Sequence, residues 1–356
     1  MLTIDGSEGG GQIIRTALAL SALTSTPFKA ENIRAARPKP GLKAQHLAGI
    51  LALQELCSAE VDGALEGSSS FTFKPGQVKG RTISLDIGTA GSITLLFQSV
   101  LLPALFADEK TRFRITGGTD TAWSMPVDYF MNVVLPYYRV FADIECELVR
   151  RGYYPAGGGK VDLTVRPRHR LSQFPSVSEL LRHLHSLNIS FSAEPYQVVC
   201  IKGISHAHVQ LQKAEVAERQ ARAAKVALLR LGIPVSVTAN YAQAESLGSG
   251  ITLWAVCRRT DDVDPLHPVM IGSDCLGERG KRAEEVGTEA AQHLIATLAA
   301  KATADMHLTD NLVPLLALTR GEVTTTGITG HVRTNIRVVE QFLPVRFRET
   351  EKTIAC

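Results

Sequence analysis

The chain has no CxxC pair, no apolar run of membrane-spanning length and almost no excess of charge. Its six cysteines (Cys57, Cys146, Cys200, Cys257, Cys275 and Cys356) are scattered. That spacing fits reduced thiols better than a disulfide framework or a zinc site. Without ~20 consecutive apolar residues there is no transmembrane helix. Met1-Leu2-Thr3-Ile4-Asp5 reads as a strand entering a turn, not as a secretory leader. A cytoplasmic protein with no membrane partner is expected. A formal net charge of +3 over 356 residues does not by itself argue for nucleic acid.

What is present is an ordinary globular composition, 45% hydrophobic, in a chain longer than one typical core of roughly 100–200 residues. Strand and helix patterns alternate, which predicts an α/β or α+β protein. One pattern recurs. Gly9-Gly10-Gly11 leads into a helix-like segment from Gln12 to Leu23, and Gly88-Thr89-Ala90-Gly91 into another from Ser92 to Phe106. His307-Leu308-Thr309-Asp310-Asn311 opens a third, ending near Arg320-Gly321. These read as copies of one folding unit, each placing a helix N-terminus at a comparable position. The stretch 167–186 changes character, with Pro167, Pro175, His183 and His185. Beyond it lie strand-like segments at 189–191, 198–201, 235–237 and 251–256, and a long Ala-rich helix from Ala214 to Leu231. A small domain over 185–276, inserted between 1–184 and 277–356, is expected. The helix Arg282 to Ala300 would return the chain to the large domain.

Five motifs carry possible chemistry, each with a plain alternative. Asp5-Gly6-Ser7-Glu8-Gly9-Gly10-Gly11-Gln12 lets a backbone approach phosphate and ends at a helix N-terminus. It is neither a Walker loop nor a GxGxxG turn. Glu8 could hold a hard divalent cation, while Gln12 and Arg15 share a helix face. The alternative is a tight turn with Glu8 solvated. Arg34, Arg37, Lys39 and Lys43 cluster around Pro38 and Pro40, which exclude a helix and predict an extended segment. Its guanidiniums either grip phosphate or are simply solvated. Gly117-Gly118-Thr119-Asp120 and Arg151-Gly152-Tyr153-Tyr154-Pro155-Ala156-Gly157-Gly158-Gly159 form either a turn between strands or a bare groove wall with an aromatic beside a base. Thr309 or Asp310 caps the third helix, or Asp310 binds a ribose hydroxyl. Gly330-His331-Val332-Arg333-Thr334-Asn335 puts an imidazole, nucleophilic and protonatable near neutral pH, on a Gly-flanked loop. The pairs His183/His185 and His206/His208 lack the Cys or carboxylates that would complete a metal site.

Together these motifs resemble the RNA 3′-terminal phosphate cyclase family. The matches are Glu8-Gly9-Gly10-Gly11-Gln12 with Arg15, Arg37-Pro38-Lys39-Pro40-Gly41-Leu42 with Gln45-His46, and Gly88 to Gln98. Gly117-Gly118-Thr119-Asp120, Tyr154-Pro155-Ala156-Gly157-Gly158-Gly159 and His331…Thr334-Asn335…Phe342-Leu343-Pro344-Val345 complete the set. The resemblance implies a large domain of three β-α-β-α-β-β units, related in architecture to enolpyruvyl transferases, with a smaller α/β domain inserted. It implies ATP as co-substrate, a divalent cation (Mg or Mn) and RNA 3′-phosphate ends as substrate. The histidine matching His331 is the implied nucleophile, forming histidine-AMP through Nε2. The implied nucleotide site is Gln98, His307, Leu308, Thr309, Asp310 and Asn311, with Gln12 and Arg15. The implied phosphate and RNA-end contacts are Arg34, Arg37, Lys43 and Gln45, with Glu8 at the metal. His307 stands where an aromatic is common and Asn311 where glutamine is common. Trp123-Ser124-Met125 replaces a more Pro-rich stretch.

Two rivals use the same architecture: a non-catalytic cyclase-like RNA-processing or scaffold factor, and an enolpyruvyl-type transferase. His331 argues against the first. The second would need a phosphosugar or shikimate-type site and no nucleotide. Whether the chain acts as a monomer or a homodimer is left open by the sequence.

Overall fold

The computed structural model describes residues 1–8, 10–187, 189 and 191–356. The first unit runs β1 (Leu2–Asp5), α1 (Gly11–Thr24), β2 (Phe28–Glu31), α2 (Ala44–Cys57), β3 (Glu60–Asp62) and β4 (Phe71–Lys74). The second runs β5 (Thr82–Asp86), α3 (Ile93–Ala104) and β6 (Thr111–Gly117). A helical stretch follows, with α4 (Val127–Tyr129) and α5 (Leu135–Tyr138) flanking one π-helical segment. β7 (Ala142–Arg150) and β8 (Gly159–Pro167) close the unit. Both sheets share one order, β1-β2-β4-β3 and β5-β6-β8-β7. In each, the first pair is parallel across a helical crossover and the rest antiparallel.

Helix α6 (Val177–Ser186) leads to the small sheet. That sheet is built by β9 (Gln197–His208), α7 (Val216–Leu228), β10 (Val235–Ala242), β11 (Ser249–Arg258), β12 (Val269–Leu276) and α8 (Ala283–Ala299). Its order, β10-β9-β11-β12, differs from that of the repeats. The third unit then continues with α9 (Met306–Thr319), β13 (Glu322–Thr324), α10 (Gly330–Phe342), β14 (Arg348–Glu349) and β15 (Thr353–Ala355). Its order β13-β15-β14 repeats the second-fourth-third arrangement of the other two. The Glu322 amide donates to the Phe191 carbonyl at 2.7 Å, where a first strand would pair. The small sheet thus interrupts the third unit before its first helix.

The core explains the layering. One apolar cluster joins all three units, including Phe28, Phe73, Phe97, Phe113, Leu312 and Val339. Phe28 packs edge-on against both Phe71 and Phe342, tying β2 and β4 to α10. A second cluster includes Ile201, Ala224, Leu253, Ile271, Ala291 and Leu294. It draws on α8, so the helix expected to return the chain to the large body packs instead on the small sheet. Of the strand expected at 189–191, Ser190 lies outside the described residues, and Ile189 and Phe191 are buried.

Three local expectations are corrected. The segment after Ile33 is not extended: Ala35 and Arg37 donate to the Asn32 and Arg34 carbonyls, making consecutive turns. The third helix is capped by Asp305, which accepts from the amides of His307 and Leu308. Asp310 is therefore inside α9. His331 is not on a loop but in the first turn of α10, behind the cap Thr329.

Candidate active site

The first helices of the three units meet through one side chain each. Arg15 of α1 donates to Gln98 Oε1 of α3 at 2.7 Å, and Gln98 Nε2 donates to Asn311 Oδ1 of α9 at 3.0 Å. Asn311 is fixed in turn by its bond to the His307 carbonyl at 2.8 Å. This chain explains why helices from distant segments carry polar residues on otherwise apolar faces. Burial pushes the Arg15 guanidinium down to about 10, with Asp310 opposing, so it remains a cation at neutral pH.

The fourth helix at this junction, α10, brings His331. Asn335 accepts from Thr16 at 2.7 Å and donates to the Asp310 carbonyl at 3.1 Å. Thr334 donates to the His331 carbonyl. Asn335 thus fixes the helix against α1 and α9, while Thr334 bonds within α10. His331 is half-exposed, and its Nδ1 lies 3.9 Å from Asp310 Oδ2. Nδ1 faces the acid without a hydrogen bond at that distance, which leaves Nε2 as the nitrogen farther from it. Burial, Arg37 and Arg15 lower its pKa, which favours the neutral, nucleophilic ring. Burial pushes the Asp310 carboxyl up to about 6, with His307, Gln12 and Arg15 opposing.

The N-terminus of α1 faces the same place. Its cap, Gly10, offers no side-chain hydrogen bond to the free amides. The Arg37 guanidinium lies over Gly10: a Cβ there would sit 3.2 Å from Nη2. Gly11 is pressed by His46, and a Cβ would fall 1.8 Å from Nε2. The buried His46 ring accepts from the Lys43 amide through Nδ1 at 3.0 Å. Burial, with Arg15, Arg34 and Lys43, drives its pKa down to about 3.

Not every expected residue points into this cleft. Arg34 donates to the carbonyls of Lys39 and Gly41 at 2.8 and 3.0 Å, holding the basic loop together. Gln45 accepts from the Ser92 amide, joining the starts of α2 and α3. Leu308 is core, and the buried Thr309 hydroxyl donates to the Asp305 carbonyl. Glu8 is exposed and paired with Arg337 of α10. Gly9 of the N-terminal motif lies outside the described residues. Tyr153 is buried and stacked on His206, whereas Tyr154 is exposed.

Among the described residues one cluster has metal-ligand types, the buried Asp120, Asp128 and His206. It does not fit a cation, because the guanidinium of Arg151 already occupies it, 3.1 Å from Asp120 and 2.6 Å from Asp128. Burial opposes ionisation of Asp120, yet His206 and Arg151 outweigh it and hold its carboxyl well below the ordinary value. His206 comes from β9 of the small sheet, and its partners come from the second unit. The sequence offered no sign of that pairing, nor of Asp274 of β12, whose Oδ1 lies 3.7 Å from His307 Nε2.

Fold and site together define a class: an α+β protein of three like units that gathers helix ends, the guanidiniums of Arg15 and Arg37 and the imidazole of His331 at one junction. A family model described as RNA 3′-terminal phosphate cyclase matches residues 6–348. A protein of that name from Pyrococcus furiosus is 45% identical over 345 residues, 96% of this chain and 93% of its own. One from Archaeoglobus fulgidus is 45% identical over 349 residues, 96% of each chain. One from Pyrobaculum neutrophilum is 47% identical over 352 residues, 97% of this chain and 94% of its own. The chain belongs to the RNA 3′-terminal phosphate cyclase family. No helix among the described residues is long and apolar enough to cross a membrane.

Proposed function

We propose that this chain converts the 3′-terminal phosphate of RNA to a 2′,3′-cyclic phosphodiester, with ATP as co-substrate and histidine-AMP as covalent intermediate. The observation that carries this reading is His331: half-exposed, with Nδ1 toward Asp310 and its pKa lowered by burial, Arg37 and Arg15. Nε2 attacks the α-phosphorus, a new N–P bond forms, and pyrophosphate departs with the electron pair of the broken P–O bond. An oxygen of the RNA 3′-phosphate then attacks the same phosphorus, and the N–P bond breaks to restore the imidazole. Last, the ribose 2′-oxygen, losing its proton, attacks the activated 3′-phosphate and AMP leaves.

Each step displaces a group at an anionic phosphorus, so positioning and charge neutralisation dominate. Arg15, Arg37, Lys43 and the open amides of α1 supply the positive potential. Gln98 and Asn311 hold Arg15, and Gln12 lies against Asp310. A divalent Mg or Mn ion, held by Glu8 and otherwise by phosphate oxygens, would add charge neutralisation. Its binding would require Glu8 to part from Arg337. These groups all lie in 1–184 and 277–356, and the inserted segment 185–276 contributes none of them. The proposal holds for a monomer or a homodimer.

The test uses an RNA oligonucleotide ending in a 3′-phosphate, incubated with the chain, ATP and Mg or Mn. The end should become resistant to phosphatase while AMP and pyrophosphate appear. An end that stays phosphatase-sensitive while the RNA is nevertheless bound would support the scaffold reading instead.

A further inference from the structure

The steps above leave one buried acid without a task. Asp274 stands on β12, and its side chain is only 13% exposed. Its Oδ1 has no hydrogen-bond partner among the described residues. His307 Nε2, at 3.7 Å, is close enough for attraction and too far for a hydrogen bond. The other groups acting on it, Asp305 and Asp120, are themselves acids. Asp305 is engaged by the Tyr129 hydroxyl and by the amides of Gly272, His307 and Leu308. Burial therefore pushes the Asp274 carboxyl up to about 6. A shielded carboxylate oxygen with no donor is costly, and the pairing of β12 with β11 does not require it.

The position of Asp274 indicates which donor would satisfy it. His331, Asp310, His307 and Asp274 follow one another. His331 is 3.9 Å from Asp310, His307 is one turn back along α9, and Asp274 is 3.7 Å beyond His307. A nucleoside triphosphate with its α-phosphorus at His331 runs in the same order, with ribose next and base last. The His307 ring, packed edge-on against Tyr129 at 5.8 Å, flanks that last position.

We propose that Asp274 reads the nucleotide base: its carboxylate accepts a hydrogen bond from an exocyclic amino group of the purine. This rests on the nucleotidyl-transfer reading above. The small sheet thereby contributes specificity to a reaction whose chemical groups belong to the large body. A purine lacking the amine leaves the carboxylate unpaired, and that penalty discriminates strongly.

The test measures labelling of the chain by α-labelled ATP in competition with unlabelled ATP or unlabelled purine riboside triphosphate, which lacks the amine. For the parent, purine riboside triphosphate should compete about 10-fold or more weakly than ATP, the scale of one hydrogen bond to a charged group. In Asp274→Ala the two competitors should come within about twofold of each other. The half-saturating ATP concentration should rise more than the saturated labelling rate falls. Asp274→Leu, similar in size but with no acceptor, carries the test if the alanine variant fails to fold, and it should lose most of the discrimination. Variants that keep the parent's ratio, or a parent with no preference, overturn the assignment. A parent that takes no label from ATP contradicts the function proposed above, and this inference falls with it.

Discussion

At Gly11 the site is constrained by a single carbon atom. A Cβ there would meet the buried His46 ring at 1.8 Å, and His46 is fixed by the Lys43 amide and enclosed by neighbours. Gly11→Ala is expected to destabilise the chain by about 1–3 kcal/mol, as overpacking does. His46→Ala should make room, so the double variant should be more stable than the two single losses summed. Thermal unfolding of the four proteins checks this; strictly additive losses would contradict the contact. The His331–Asp310 pair gives a second expectation. In the proposed reaction His331 attacks as the neutral ring, and burial with Arg37 and Arg15 lowers its pKa from the ordinary 6.5. Asp310, up at about 6, takes a proton as pH falls through that value and then no longer attracts Nδ1–H. The initial rate of labelling by ATP should therefore hold from neutral pH to about 6.5 and fall below about 6. Asp310→Asn should lower the plateau and shift the fall to more acidic pH. An acid limb centred above 6.5 would contradict both shifts.

Among the elements, α9 depends on a cap that the sequence reading placed too late. Asp305 accepts from two amides of the first turn, from Gly272 of β12 and from Tyr129. Asp305→Ala should cost about 2–4 kcal/mol, a lost cap plus a buried hydroxyl left unpaired. It should also slow labelling, because Asp310 and Asn311 ride on α9. Unfolding within about 0.5 kcal/mol of the parent would contradict this role. Apolar periodicity made α1, α3 and α9 legible to within a residue or two, since each buries one face in a common core. The cap was missed because Thr309 and Asp310 look equally suitable, and only the tertiary bonds of Asp305 decide. Backbone preference alone makes the loop at Pro38 and Pro40 extended, while Arg34 draws it into turns by binding its carbonyls. Strand β12 was missed because Gly272 and Asp274 interrupt a strand-like run. The cleft's cations, His331 and Asp310 stood out by motif. Asp274 and His206 did not, because their partners are distant in sequence.

For the whole molecule, the seam between the small sheet and the second unit is buried and charged. Asp120, Asp128, Arg151 and Tyr153 of the large body enclose His206 of β9. Parting the two would break the bonds of His206 to Tyr153 and Asp120 and uncover the buried seam, so they should unfold together. The two tryptophans make this measurable: Trp123 is 99% exposed and Trp254, in the small sheet, only 8%. The denaturant midpoint from Trp254 fluorescence should coincide with that from far-ultraviolet circular dichroism, and His206→Ala should lower both. Separate midpoints would show two independent bodies. The central claim is that three like units assemble one nucleophile, and it is tested most directly by locating the covalent AMP. After incubation with α-labelled ATP and digestion, the account predicts a single acid-labile, alkali-stable adenylate on His331. It should be absent from His331→Ala, which should unfold like the parent because the half-exposed ring contributes little packing. An adenylate on any other residue, or label that persists in His331→Ala, would contradict it.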